Sequence, residues 1–236
     1  MPRVYNDYEG VKFNRKHRYD EDEEALQLQG DKYLGYFTRQ KTLTCITVPI
    51  DEGVKEAIYY RQVAKAIAEL GDQDQVEFEI SSPGGYLDGL ISILTAMEKT
   101  NATTVAHING ECHSAASMLA MNCDVVYVSP YASMLVHFVQ FGASGKGTDV
   151  LSKVSHVYET CEKLFRNTYK HFLTEKEILQ CIEGMELWLT ADDIKARLER
   201  KFNALDREAK AAMKASKKKK PESTAQEPNV VEPDED

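Results

Sequence analysis

No apolar run in this 236-residue chain approaches the roughly eighteen to twenty residues that a membrane-spanning helix needs. The five cysteines, Cys45, Cys112, Cys123, Cys161 and Cys181, are odd in number and have no CxxC spacing. That pattern excludes a zinc cluster and speaks against a disulfide framework. Positive charge is in deficit, with 29 Lys and Arg against 38 Asp and Glu and a formal net charge of −9. Nucleic acid or an anionic membrane would be repelled by such a body, so neither is an expected partner. The first residues, Met1 to Asp7, lack the apolar stretch of a secretory signal. These absences predict a soluble protein of a reducing, cytoplasmic compartment. What is present is a 42% hydrophobic content, enough to build a sizeable core.

The two ends read differently from the middle. Residues 1–35 set a basic patch (Arg15, Lys16, His17, Arg18) against an acidic run from Asp20 to Glu24, with few regular apolar positions. A mobile charged arm is expected there. From Ser216 onward come Lys217 to Lys220 and then a stretch rich in proline and acid. Such a segment buries too little apolar surface to offset the entropy of ordering it, so 216–236 is expected to be a disordered charged tail. Residues 36–215 are left as one domain.

Within that domain strand and helix patterns alternate. Leu43–Ile50 is a β-branched apolar run, Val54 to Leu70 recurs at helical spacing, and Val76–Ile80 alternates like a strand. A helix fits Leu87–Lys99. A strand fits Thr104–Ile108, followed by an Asn109-Gly110 turn and a small-residue helix over Ser114–Met121. Val125–Val128 and Met134–Val136 read as strands, and Asp149–Phe172 as a long amphipathic helix. A last helix opens at Thr190, which can cap it, with Asp193 favouring its N-terminal dipole. The order predicts an α/β fold with a mainly parallel sheet and flanking helices.

Three features bear on chemistry. Ser82-Pro83-Gly84-Gly85 joins a strand to a helix; alone it reads as a plain turn, although its glycines let backbone N–H groups approach a ligand. Gly110 to Ser117 again leads from strand to helix. A serine at such a turn presents its hydroxyl on a rim, where the N–H of Ala115 would stabilise an oxyanion. Taken alone, Ser114 reads as a packing residue rather than a nucleophile. His137 ends a strand, where an imidazole serves either as a base or as a hydrogen-bonded core group. Ser117, one turn beyond Ser114, is expected to be packed, and His113 to point away from the cleft.

In joint spacing, Ser82-Pro83-Gly84-Gly85, Gly110-x-x-x-Ser114, His137 and Glu186-Leu187-Trp188-Leu189-Thr190-Ala191 resemble the Clp protease proteolytic subunit family. The resemblance is closer to the Clp-like prohead, or head-maturation, proteases of tailed phages. It implies the Clp protease/crotonase-like superfold, with the long helix as its handle. It also implies a serine endopeptidase in which Ser114 is the nucleophile, His137 the base and Glu186 the third member, Glu183 being a competitor. Gly85 and Ala115 would supply the oxyanion-hole N–H groups. No cofactor and no metal are implied. The implied partners are a protein or peptide substrate, other copies in a ring-like homo-oligomer, and either capsid and scaffold proteins or an AAA+ unfoldase. The alternatives are an ATPase-dependent Clp-type degradation peptidase, an acyl-CoA-handling crotonase-type relative and a non-catalytic assembly protein on the same fold.

Overall fold

The computed structural model describes residues 11–12 and 43–218. Among the described residues seven strands form one sheet: β1 (Val11–Lys12), β2 (Cys45–Ile50), β3 (Gln75–Ser82), β4 (Thr103–His113), β5 (Val125–Val128), β6 (Ser133–Val136) and β7 (Leu187–Thr190). The main path runs β1-β5-β4-β3-β2, with β6 on β4 and β7 on β6. Pairing is parallel from β2 through β5 and between β4 and β6, and antiparallel for β1 on β5 and β7 on β6. The helices are α1 (Arg61–Ala68), α2 (Leu87–Lys99), α3 (Ala115–Met121), α4 (Gly147–Tyr169), α5 (Glu175–Ile182) and α6 (Ala191–Lys218). The protein is thus a mixed α/β fold with a mostly parallel sheet and flanking helices.

Strand β3 shows why the sheet forms. Val76, Phe78 and Ile80 are fully buried on one face, while Gln75, Glu77 and Glu79 are only half-buried on the other. Each large apolar side chain removed from water contributes about 1.5–3 kcal/mol. The period of two therefore fixes which face meets the helices. Ile194, Leu198 and Phe202 of α6 are buried in the same core. That helix starts with the expected cap: Thr190 N–H donates to Asp193 Oδ2 at 3.1 Å, and Asp193 N–H donates back to Thr190 Oγ1 at 3.4 Å.

Several local expectations change. Asn109-Gly110 is not a turn but lies inside β4. The β3–β4 register runs from Ile80↔Ile108 to Ser82↔Cys112, so β4 bulges there. A Cβ on Gly110 would stand 2.9 Å from Ser81 Oγ, so the residue is small for close approach. The bulge divides β4, whose first half pairs with β5 and whose last three residues pair with β6. The helix expected from Val54 to Leu70 is a 3-10 turn, Ala57–Tyr60, followed by α1. Helix α4 stops at Tyr169, and His171 takes a positive φ of 65° just after it. Helix α6 runs to Lys218, past the expected domain end. Residues 219–236 and most of the expected N-terminal arm lie outside the described residues; within the arm, Val11–Lys12 pairs with Val125 and Val126. No helix among the described residues is long and apolar enough to cross a membrane.

Candidate functional site

The parallel strands β3, β4 and β6 run their C-terminal ends toward one rim, where ligand clefts of α/β sheets form. At the end of β3, Ser82 is fully buried; its Oγ donates to the Glu52 carbonyl at 2.5 Å and accepts from Gly84 N–H at 3.2 Å. The chain then turns through Gly84 at φ 95° and Gly85 at φ 150°, backbone conformations that disfavour side chains. A Cβ on Gly84 would lie 2.6 Å from both His113 O and Ser114 Cβ, and one on Gly85 would lie 2.3 Å from Val54 O. The glycines are needed because this turn is pressed against Ser114 on one side and Val54 on the other. Hydrogen bonds from Val54 N to Gly84 O (2.7 Å) and from Tyr86 N to Val54 O (2.8 Å) hold it extended.

Ser114 stands between β4 and α3 with φ 53° and ψ −122°. A non-glycine residue there carries strain of order 1–3 kcal/mol, which persists only where surrounding structure enforces it. The enforcement is visible. Ser114 N–H donates to Leu135 O on β6 at 2.9 Å, and Ser114 O accepts from Ser117 Oγ at 2.7 Å. The N–H groups of Gly85 and Ala115 have no hydrogen-bond partner among the described residues.

A cleft of about 470 Å3 opens in front of this turn, within the range of small-ligand sites. The β3–α2 turn lines it with Pro83, Gly85, Tyr86 and Leu87, and α3 with Ala115 and Met118 beside Ser114. The segment His137 to Gln140 forms a third wall, and Cys161, Leu164 and Phe165 of α4 a fourth. Phe138 meets Phe165 edge-on at 5.7 Å and Tyr158 at 5.2 Å between ring centroids. Burial pushes the Cys161 thiol up, so it lines the cleft as a neutral, weakly polar group.

The structure therefore brings together Gly85, Ser114, Ala115 and His137. It leaves Glu186 exposed and outside the cleft lining. The β6–β7 register, Val136↔Leu187, sets Glu186 across from His137 when continued by one residue. Among the described residues, however, no hydrogen bond links Ser114 Oγ, His137 and Glu186. Ser117 is fully buried and bonded to Ser114 O and Tyr169, as a packed residue. His113 lies against Ser133 Oγ at 3.2 Å and the Trp188 ring, off the cleft. Sequence reasoning missed the aromatic wall at Phe138; the only signal was its place after a strand-ending histidine.

The expectation of a serine endopeptidase, whether phage prohead protease or Clp-type degradation enzyme, is corrected. Its four motifs are strand-to-helix turns and strand ends, and tight turns demand glycine and small residues whatever chemistry lies beside them. What residues 44–154, just under half of the chain, do match is the family described as NfeD1b, N-terminal domain, and that similarity takes the place of the Clp and head-maturation assignment.

Proposed function

We propose that the domain is a binding module whose cleft holds an extended apolar segment of a partner protein, with a backbone carbonyl of that segment on the Gly85 and Ala115 N–H groups. The observation that carries this is the pairing, among the described residues, of two unpartnered amides with apolar walls, next to a serine and an imidazole that are not hydrogen-bonded to each other. A carbonyl oxygen accepts from two N–H groups at once, and each bond contributes about 0.5–1.5 kcal/mol in water and more once the site is desolvated. The walls Met118, Phe138, Leu164 and Phe165 supply the apolar burial. Gly84–Tyr86, already extended along Val54, offers a backbone edge that suits a polypeptide better than a bare acyl chain. Ser114 Oγ and His137 then act as polar contacts that fix the orientation of the bound segment. For the fold, we propose the crotonase-type superfold, supported by the long helix α4 beside a mostly parallel sheet and by the paired amides at the rim.

The test is anisotropy of a fluorescein-labelled, end-capped peptide of alternating leucine and alanine, titrated with the protein. Saturable binding is expected, weakened about tenfold or more by Leu164→Asp. The peptide should be recovered intact by mass spectrometry. Absence of saturable binding, or binding indifferent to Leu164→Asp, overturns the reading.

A further inference from the structure

On the sheet face away from the buried Val76, Phe78 and Ile80, three side chains from adjacent strands converge. Glu77 and Glu79 of β3 and His107 of β4 bring one donor atom each to within 4.8 Å of one another. The backbone dictates this: alternate residues of β3 share a face, and Glu79 stands in register with His107.

Nε2 of His107 is buried and has no hydrogen-bond partner, the one such side-chain atom among the described residues. Glu77 Oε2 lies 3.9 Å from it, too far for a hydrogen bond. A buried polar atom left in this way calls for an explanation, a missing ion among them. The groups around it are held in place. Gln75 Nε2 donates to Glu77 Oε1 and Asn109 Nδ2 donates to Glu79 Oε2, while the Cys45 thiol also hydrogen-bonds the Glu77 carboxylate and would share it with an ion. Tyr127 stacks on the imidazole with centroids 5.0 Å apart and planes 10° apart. Such outer contacts orient metal ligands in known sites. The side chains of Glu77 and His107 are each 27% exposed, which leaves an entry path.

We infer that Glu77, Glu79 and His107 bind a divalent first-row transition-metal ion, Zn2+ being the best match. Two carboxylates carry a charge that a divalent ion neutralises, and the ion gives the Nε2 lone pair its partner. An imidazole donor selects against Mg2+ and Ca2+, which prefer oxygen throughout. Three protein ligands leave further coordination positions for water. Bonds of about 2.0–2.2 Å require donors roughly 3.5 Å apart, so binding an ion requires the two glutamates to shift inward against their bonds to Gln75 and Asn109.

The full chain, stripped with EDTA and dialysed, is titrated with ZnCl2 in a calorimeter, and Co2+ absorption is recorded in parallel. One ion per chain is expected, with a rise in the thermal midpoint. His107→Gln should weaken binding by about a hundredfold, and Glu79→Gln by at least about tenfold. Circular dichroism checks folding; should His107→Gln unfold, Glu79→Gln, at a partly exposed position, decides. No binding at about 1 mM Zn2+, or binding that neither substitution weakens, overturns the inference, because these side chains would then hold no ion or the ion would sit elsewhere.

Discussion

The phenol of Tyr169 and the hydroxyl of Ser117 meet at 2.6 Å in the core behind Ser114. Ser117 Oγ also reaches Ser114 O at 2.7 Å and Leu135 O at 3.3 Å, and Leu135 O accepts the Ser114 N–H. One chain of hydrogen bonds thus ties the end of α4 to α3, to β6 and to the strained residue at the cleft. Burial pushes the Tyr169 phenol far up, so it stays protonated and able to donate. Tyr169→Phe keeps the ring and removes one buried bond. Urea unfolding should show a loss of about 1–2 kcal/mol, and amide exchange at Ala115 should quicken.

Ser114 is held at φ 53° by its neighbours rather than by its own preference. Ser114→Gly relieves that strain, and the protein should gain up to about 1 kcal/mol in chemical unfolding. Affinity for an apolar peptide should fall in the same variant, because a polar contact and a rigid turn are both lost. A variant that is less stable, or that binds as before, contradicts the role assigned to this turn.

Acid stability should depend on Glu177. Its carboxyl is held down to about 2 from an ordinary 4.5, first by the Arg197 hydrogen bond and then, in the same direction, by the Thr174 N–H and hydroxyl. Arg197 Nη2 donates to Glu177 Oε1 at 2.7 Å, with both side chains mostly buried. The unfolded chain protonates this carboxyl near 4.5 while the folded chain keeps it ionised. The stabilisation is therefore complete above pH 4.5 and is lost as pH falls toward 2, at most about 3 kcal/mol. Glu177→Gln should lower stability at pH 7 and flatten the acid limb between those values, as followed by circular dichroism.

Lys201 is 3% exposed, and its ammonium donates to Met121 O at 2.7 Å and to Thr168 O at 2.9 Å. These carbonyls lie at the C-terminal ends of α3 and α4, where positive charge is favoured. Lys201→Met keeps the stem and leaves both carbonyls short of a donor. A loss of about 1–3 kcal/mol is expected in denaturant unfolding, with the helix ends next to α6 exchanging faster.

Much of the fold is legible in the sequence where periodicity is long and clean. Helix α2 has the bounds its pattern predicts, Leu87–Lys99, and Val76, Phe78 and Ile80 declare the buried face of β3. Short elements are legible where β-branched residues run together, as in β5, Val125–Val128, but not all of them are. Leu187–Thr190 is a four-residue strand whose existence depends on pairing with β6, a contact remote in the chain. Asn109-Gly110 carries turn chemistry, yet pairing of the residues before it (to Ile108) and after it (from Glu111) keeps it inside a strand as a bulge. Gly85, Ser114, Ala115 and His137 are singled out in the sequence by motif order, and the structure lines one cleft with them, whereas Glu186 lies outside it. The reaction class is not legible, because motif order records how the backbone turns rather than which side chains are hydrogen-bonded at the rim.

The most direct test of the cleft is the pair of amide signals from Gly85 and Ala115 in a nitrogen-15 correlation spectrum during titration with the end-capped leucine-alanine peptide. Both signals should move downfield together and saturate with the anisotropy curve, as expected for two N–H groups donating to one carbonyl. Saturable binding that leaves these two amides unmoved while others shift would contradict the account.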